Sequence, residues 1–567
     1  MAILSPAQLA AGSPVFVLTI EWAGQSWRWS TLPLDVTWTR LDGSGTTTIR
    51  TDGGLDALEV ERSLAAISDT PELRTLSTDL VWPEDVALLV AEGHDLSSGE
   101  GELAVLTDGM DWGERVVLLR GRVSQPEYGG DGEPVSLSIV EEVYDDVASL
   151  LRPTQRVTEE KFATAKADAI GRYYPIVIGQ PGYRIGRDGV GKRTAGVPAH
   201  AIAYDSTLDT TDTLLVCAGR VAATQCRIAY EVYPGQLNST SALTIVYGTD
   251  ADGEVYGYVD ISGESAIVRT AGKYWSIWQD GAGTLSPIRT GGVTGLGEAM
   301  LWAALRSSTR VDVARFQAVA DRLTWPVAGY VDEPCSPMEW LADNLLPLAP
   351  VAMTYGLDGL GPVLWRHDAR RVDAVRTVTA GEGYHRVGRV SYTRKPRDVV
   401  NEIRLMWARD ASQDDYLEET VLTPTLARST GLTGAELSGV RQGAILDSQR
   451  SESAYRLVRT TTLESDVVSD ATTAWRVVAW RARASSLSPR EVEYDCTTEA
   501  LELEEGDVVI LVDAELHLDV VAQVARIVVS DTPTIRIALQ ILDPAVSSSP
   551  DPGPYVTADD PNYGEGQ

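Results

Sequence analysis

At 567 residues and 61.2 kDa the chain is too long for one hydrophobic core, so about three to five domains are expected. Its 81 acidic and 48 basic side chains leave a net charge of -33, which argues against a direct role on nucleic acid, since a phosphate-binding face needs clustered Lys and Arg and no basic run here is long enough to serve. No stretch approaches the roughly 20 apolar residues of a membrane span, and MAILSPAQLAAG lacks the charged start and apolar run of a signal peptide, so a soluble protein assembled in the cytoplasm is expected.

Residues 1–150 read as strands. Short runs at Val15 to Trp22, Ser26 to Thr31, Val36 to Leu41, Thr46 to Thr51 and Leu55 to Ile67 are separated by Gly, Asp and Pro. A second set, Gly101 to Thr107, Glu114 to Val123 and Glu133 to Glu141, follows at the spacing of a closed or nearly closed β-barrel. Residues 151–200, rich in Gly, Pro and basic residues, read as a connector with one short apolar strand at Ile176 to Ile178.

Residues 201–292 read as an inserted β domain. Its strands are expected at Ala201 to Tyr204, Thr213 to Ala218, Gln225 to Tyr233, Ala242 to Tyr247, Glu254 to Ile261 and Ala266 to Arg269, with a hairpin turn at Asp250-Ala251-Asp252-Gly253. From Leu296 the apolar period changes to 3.6. GEAMLWAALRSS and DVARFQAVADRL are amphipathic, and Ser336-Pro337 opens a third helix with Ser at the N-cap and Pro at the first position. With the hairpin of VAMTYGLDG and PVLWRH this makes an α+β module over 293–385.

Residues 386–545 return to strands, at Val387 to Thr393 and Val400 to Trp407. A polar loop through about Gly443 and a helix over Asp470 to Ser485 come next. The closing meander alternates Val508, Ile510 and Val512 with polar residues, turns at Asp513-Ala514-Glu515, and repeats the pattern at Val524, Arg526 and Val528. The tail, 546–567, has the composition of a flexible segment. The fold class is therefore mainly β with a small α+β module: two tube-like β-barrel domains and an inserted β domain.

No motif in the chain carries catalysis. Gly186-Arg187-Asp188-Gly189-Val190-Gly191-Lys192 has the spacing of a phosphate loop, but Arg193 stands where the Mg²⁺-binding Ser or Thr belongs and no helical pattern follows, so it reads as a surface turn. His94, His200, His367, His385 and His517 lie far apart, and none has a zinc-type spacing. Asp250, Asp252 and Glu254 fall short of a calcium loop. Cys217, Cys226, Cys335 and Cys496 are too scattered for a disulfide framework; Cys217 and Cys226 could face each other across a hairpin, though reduced core thiols are favoured. No catalytic, cofactor or metal residue is assigned, and a non-enzymatic protein is expected. Phe is scarce (3) while Trp (15) and Tyr (21) carry the aromatic load, a bias that suits subunit contacts or sugar-stacking surfaces.

Four stretches resemble the tail-tip and baseplate hub proteins of tailed bacteriophages. They are Tyr173-Tyr174-Pro175-Ile176-Val177-Ile178-Gly179 with Gly196-Val197-Pro198-Ala199-His200; Ser336 to Pro347 with the hairpin after it; Asn401-Glu402-Ile403-Arg404-Leu405; and Glu505-Gly506-Asp507-Val508-Val509. These are fold-level patterns with no catalytic signature. The resemblance implies a structural hub in which residues 1–150 and 386–545 supply two barrel domains per subunit. A homotrimer would then match a six-fold tail tube to a three-fold tip. It implies as partners the distal tail ring protein, the tape-measure protein and a central spike or fibre protein, and as location the virion tail tip. Some relatives bind an iron-sulfur cluster through four grouped cysteines; here the four are spread from 217 to 496, and no cluster is expected. The alternative is a receptor- or carbohydrate-binding tail protein with Tyr230, Tyr233, Tyr247, Tyr256, Tyr258, Tyr274, Trp275 and Trp278 as its sugar face.

Overall fold

The structure, a computed structural model, describes residues 14–542 apart from 40–45, 52, 64–74, 82–89, 107–109, 128–133, 141–147, 183–195, 234–235, 279–282, 357, 367–368, 393–398, 425–439 and 531–534. The phosphate-loop-like run 186–192, His367 and the tail 546–567 lie outside the described residues. Strand outweighs helix, so the chain is mainly β, as the period-two alternation implies. It divides into two compact units, one drawn from 1–144, 352–393 and 489–544, the other from 145–351, 394–488 and 545–567.

The first unit is built on one 13-stranded sheet of two half-barrels. The amino-terminal half runs, in order of pairing, Gln25–Ser30, Val15–Trp22, Glu100–Leu106, Val116–Glu127, Val135–Val140, Thr75–Leu80 and Leu55–Ser63. The last of these pairs antiparallel with Leu518–Ser530, setting Val60 opposite Val529 and Ser63 opposite Arg526. From there the carboxy-terminal half continues through Ile535–Ile541, Arg490–Cys496 and Tyr384–Tyr392, with Val508–Asp513 and Arg376–Thr379 branching from Leu518–Ser530. The closing meander forms in the register its alternation requires, Ile510 opposite Val521 and Val524 opposite Leu539. A one-residue slip would turn every one of these side chains to the other face. Leu18, Ile20, Leu76 and Ile139 of one half share a single buried core with Tyr494, Leu511, Val524 and Ile537 of the other.

The second unit holds the inserted sheet and the helices. Eight strands pair in the order Gln236–Ser239, Gln225–Tyr233, Tyr274–Ile277, Val197–Asp205, Thr210–Ala218, Val255–Asp260 and Val246–Thr249, with Leu243–Thr244 on Gln225–Tyr233. Leu214, Val216, Ile228, Val259 and Trp278 form its core. Ala266–Arg269, expected as a strand, is one helical turn instead: the Ser265 carbonyl accepts from the Val268 and Arg269 N–H groups, and Val268 is the buried side chain of the turn.

The helices follow their sequence signals. Leu296–Ala304 is buried on every side, and Asp312 caps Val313–Arg322 by accepting from the Arg315 N–H at 3.0 Å. Ser336 caps Pro337–Asn344 through the Glu339 N–H, also at 3.0 Å. Asp470 caps Ala471–Ser485. The polar loop expected through Gly443 gives way sooner, because Val440–Tyr455 is a helix. Its buried stripe contains Ala444, Ile445, Asp447, Ser448 and Ser451, so the helical period is carried mostly by small and polar residues and is weak in an apolar count. Before it, Asp415–Leu422 adds an unforeseen strand, antiparallel to Glu402–Asp410, which also pairs in parallel with Thr460–Glu464.

Candidate functional site

The stretches that carry the family resemblance become polar pins and close backbone approaches, each fixing one junction of the fold. In the first, the Tyr174 hydroxyl donates to Asp250 Oδ2 at 2.6 Å and the Pro175 carbonyl accepts from the Ala218 N–H at 2.7 Å. Gly179 lies at φ +61, where an added Cβ would stand 1.8 Å from the Val327 carbonyl oxygen. Gly196 is as tight, 2.1 Å from the Ser276 carbonyl oxygen, which is why Gly opens the strand that pairs with Tyr274–Ile277.

Asn401 is buried and uses its whole amide. Its Nδ2 donates to Ser451 Oγ at 3.0 Å and to the Leu457 carbonyl at 2.8 Å, and its Oδ1 accepts from the Arg459 N–H at 2.9 Å. The helix Val440–Tyr455 is thereby tied to the strand that Asn401 precedes. The Ser336 to Pro347 stretch ends on carbonyls held by the helix Ala471–Ser485. Pro347 accepts from Arg481 Nε at 3.0 Å, and Leu348 from Trp480 Nε1 at 2.6 Å.

The turn at Gly506 is held by Gln523, which is fully buried. Its Nε2 donates to the Leu364 and Gly506 carbonyls, each at 2.9 Å, and its Oε1 accepts from the Arg366 N–H at 3.2 Å. Gly506 itself has φ +92 and would place a Cβ 2.1 Å from Val363 Cγ1. A buried amide with every group satisfied specifies one arrangement and penalises others.

The acidic hairpin turn at Asp250 already holds a cation from the chain. Lys161 Nζ lies 2.8 Å from both Asp250 Oδ2 and Asp252 Oδ2, and the Asp250 carboxylate is wholly buried. Asp250 Oδ1 also accepts from the N–H groups of Asp252 at 3.0 Å and Glu254 at 2.9 Å. Glu254 in turn accepts from Thr154 Oγ1 at 2.8 Å and pairs with Arg152 at 3.1 Å. Burial works against both charges, yet the mutual hydrogen bond, helped at Asp250 by Tyr174, keeps the Lys161 ammonium above the usual lysine range and the Asp250 carboxyl below the usual carboxylate range. Burial, then the Asp250 carboxylate, pushes the Tyr174 phenol up. Among the described residues no group of three or more His, Cys, Asp or Glu is arranged to hold a metal ion.

The remaining candidates are dispersed. His94 packs edge-on against Trp22 with ring centroids 6.1 Å apart. His385 sits on Tyr384–Tyr392 opposite Asp495, and His517 occupies a turn at φ +53. All four cysteines are free. Cys217 and Cys226 pack in the core of the inserted sheet, where they lie on strands that are not neighbours, and Cys496 packs in the half-barrel core. Burial raises the Cys217 thiol to about 12 and Cys335 to about 11, which leaves neither a ready nucleophile.

Of the eight aromatics considered as a sugar face, Tyr230, Tyr274, Trp275 and Trp278 are buried. Tyr247, Tyr256 and Tyr258 are half-buried, and Tyr256 packs edge-on against Phe162 at 5.2 Å. The alternating Tyr and Trp residues serve packing first.

One cleft of about 260 Å³ opens in the second unit, between the 166–173 segment, Val197–Asp205 and Gly272–Trp275. His200 lines it, with Nε2 buried and without a hydrogen-bond partner. Burial, followed by the nearby Arg172 guanidinium, lowers the His200 imidazole to about 4, so it is neutral at pH 7. His200 closes one of the stretches that carry the resemblance, but no spacing in the sequence marked it as lining a cleft, because its setting comes from strand pairing and from the 166–173 segment.

No family model and no curated protein matches the chain. Among solved structures it is similar to the tail protein from Neisseria meningitidis, at 9% identity over 94% of this chain and 97% of that one, with a TM-score of 0.38. It is similar to the 43 kDa tail protein of prophage MuSo2 from Shewanella oneidensis, at 10% identity over 94% and 99% of the two chains, with a TM-score of 0.36. A chain of the native gene transfer agent virion is matched at 10% identity over 72% and 88%, with a TM-score of 0.36. The proteins to which this chain is similar are thus tail proteins and a virion component.

Proposed function

We propose that the chain is a structural hub of a bacteriophage tail tip or baseplate, closing the tail tube and adapting its six-fold symmetry to a three-fold tip. The observation that carries this reading is the half-barrel sheet: one polypeptide supplies two β half-barrels joined through Leu55–Ser63 and Leu518–Ser530. Three copies around an axis would present six such halves, a simple way for one chain to meet a six-fold ring with three-fold symmetry. The path of the sheet ends on Gln25–Ser30 at one side and Tyr384–Tyr392 at the other. Strand edges of this kind invite further pairing unless covered, and closure into a ring covers them. The net charge of -33 suits a subunit that stays soluble before assembly.

On this reading the protein works without catalysis. It resides in the virion, and its partners are its own copies in a homotrimer, the distal tail ring protein, the tape-measure protein and a central spike or fibre protein. The domain reading takes the same form, with residues 1–150 and 386–545 as the tube-forming parts, and 201–292 and 293–385 placed around them. The alternative, a receptor- or carbohydrate-binding tail protein, gains nothing from the aromatic-rich insertion, since four of the eight aromatics that would form its sugar face are buried.

A three-fold averaged cryo-EM map of the tail end of the source particle tests the proposal. Three copies closed around the axis with both half-barrels lining the channel are expected. Copies confined to lateral appendages, or absent from the particle, would overturn it.

A further inference from the structure

The turn at residues 369–375 in the first unit displays apolar surface at the end of a sheet. Val372 is 90% exposed, more than any other large apolar side chain among the described residues, and Val375, three positions on, is 63% exposed. The exposure is fixed by the backbone. The Arg370 N–H donates to Asp373 Oδ2 at 2.7 Å, Arg366 pairs with Asp373 at 3.3 Å, and the Val375 N–H donates to the Val508 carbonyl at 2.8 Å. The strand that follows, Arg376–Thr379, pairs only with Val508–Asp513 among the described strands, so the sheet ends at this edge. An open edge beside apolar side chains calls for a cover.

The same turn is basic in an acidic chain. Of its four arginines, Arg366 is held by Asp373, Arg371 by Asp519 and Arg376 by Glu502. Arg370 is exposed, and its guanidinium makes no hydrogen bond or ion pair among the described residues. The pair of Arg371 with Asp519 has both partners more than half exposed, so it contributes little and yields readily to another carboxylate. The described chain also ends against this surface. Leu542 is buried with Val508 and Val521, and Ala369 and Ala374 pack on that cluster. The residues that follow, 543–567, hold the carboxylates of Asp543, Asp551, Asp559, Asp560 and Glu565, no Lys or Arg, and an apolar pair at Tyr555 and Val556. Tyr555 stands about thirteen residues beyond Leu542, a span of at most about 45 Å, so reach does not limit a return to the turn. A tether of this length holds its end at an effective concentration of about 1 mM.

We propose that the turn is a docking surface for the chain's own acidic tail, with Tyr555 and Val556 covering Val372 and Val375, and Asp559 and Asp560 beside Arg370 and Arg371. The two halves of the segment match the two halves of the turn: apolar side chains meet apolar side chains, and carboxylates meet the free guanidinium. Two valines are too little surface to hold a second chain of net charge -33 in place, whereas the tethered segment needs no association step. The contact is independent of the hub reading: a structural tail protein can carry it or lack it, and the particle map and the binding experiment fail separately.

The test compares the full chain with a chain ending at Pro544, which keeps every described residue, each titrated with a fluorescein-labelled synthetic peptide of residues 549–563 and followed by anisotropy. The shortened chain is expected to bind the peptide with a Kd of about 0.1 mM, and the full chain about ten-fold more weakly, because its own segment competes at about 1 mM. Val372→Ser and Arg370→Gln, both at exposed positions, should each weaken binding to the shortened chain about three-fold or more at unchanged melting temperature. The full chain carrying Tyr555→Ser and Val556→Ser opens the turn without truncation and should bind the peptide as tightly as the shortened chain. Equal affinity of the full and shortened chains, no binding to either opened form, or binding indifferent to both turn substitutions overturns the proposal. Sedimentation of the shortened chain supplies a further arm: self-association that Val372→Ser abolishes gives the turn to a second copy and overturns the proposal as well.

Discussion

The half-barrel sheet and the inserted sheet are both antiparallel structures with apolar cores, but they are fastened differently. In the half-barrels, alternating Val, Leu and Ile side chains from both halves meet in one buried core, with Gln523 as a satisfied amide beside the Gly506 turn and the buried Asp513 carboxylate facing a cation, Arg386, that is itself partly exposed. In the inserted sheet a comparable apolar core is supplemented by a buried ion pair, Lys161 with Asp250, that ties the 151–175 segment to a hairpin turn. An apolar ladder loses stability gradually as methylenes are removed, whereas an ion pair out of water fails abruptly when one partner goes, because the other charge stays buried. The two regions should therefore lose protection separately, each to a substitution in its own fastening.

The largest effects expected are at Asp250 and Val529. Asp250→Ala removes the acceptor of Lys161 and Tyr174 and the cap of its own hairpin turn. The loss should be about 3 kcal/mol, the low end of the roughly 3–5 kcal/mol for a broken buried pair, because Asp252 still faces the ammonium. Hydrogen exchange should accelerate over 151–175 and 246–260 while 508–541 keeps its protection. Equal acceleration in both regions would erase the contrast drawn above. The converse variant is Val529→Pro, at the strand joining the two halves, where Val529 is fully buried between Val60 and Ile535. A central proline removes a ladder hydrogen bond and clashes, at a cost of about 3 kcal/mol or more, and here the accelerated exchange belongs to 508–541.

A reversible effect with a similar ceiling comes from pH. His200, with a folded value of about 4, faces the Arg172 guanidinium and the Asp168 carboxylate. The unfolded imidazole titrates near 6.5, so between about pH 6.5 and pH 4 the unfolded chain binds the extra proton. Stability is thus fully present above pH 6.5 and falls as pH drops through that window, by up to about 3 kcal/mol at 1.36 kcal/mol per pH unit, then levels off. Chemical denaturation of the wild type and His200→Gln at pH 7, 5.5 and 4.5 measures it. The variant should lose this slope, and identical slopes would show that His200 is not the group responsible.

What the sequence made legible follows from the same contrast. The closing meander, the Ser336 cap, the helix from about Asp470 and the Ile176–Ile178 strand could be read because periodicity and capping are local. The helix Val440–Tyr455 was hidden because Asp447, Ser448 and Ser451, which make up most of its buried stripe, count as polar in any periodicity. The joining of two barrels into one sheet depends on Leu55–Ser63 meeting Leu518–Ser530 across more than 400 residues, and no local pattern encodes that pairing. The cleft was equally illegible. Arg172, His200 and Lys273 become neighbours only through the pairing of Val197–Asp205 with Tyr274–Ile277.

The smallest effect expected, and the sharpest probe of how the half-barrel region is fastened, is at Gly506. Two causes oppose a side chain there: φ +92, and a contact of 2.1 Å with Val363 Cγ1. The backbone conformation alone costs an ordinary residue about 1–2 kcal/mol. The contact adds more only insofar as Val363 cannot move. Gly506→Ala should therefore lose about 2 kcal/mol by chemical denaturation, and the double variant with Val363→Ala should lose less than the sum of the two single losses, by at least about 0.5 kcal/mol. Strict additivity would assign the whole effect to the backbone and take no part of it from the Val363 contact, with Gln523, through its bonds to the Leu364 and Gly506 carbonyls, still tying this turn to the hairpin Val351–Gly356 and Gly359–Leu364.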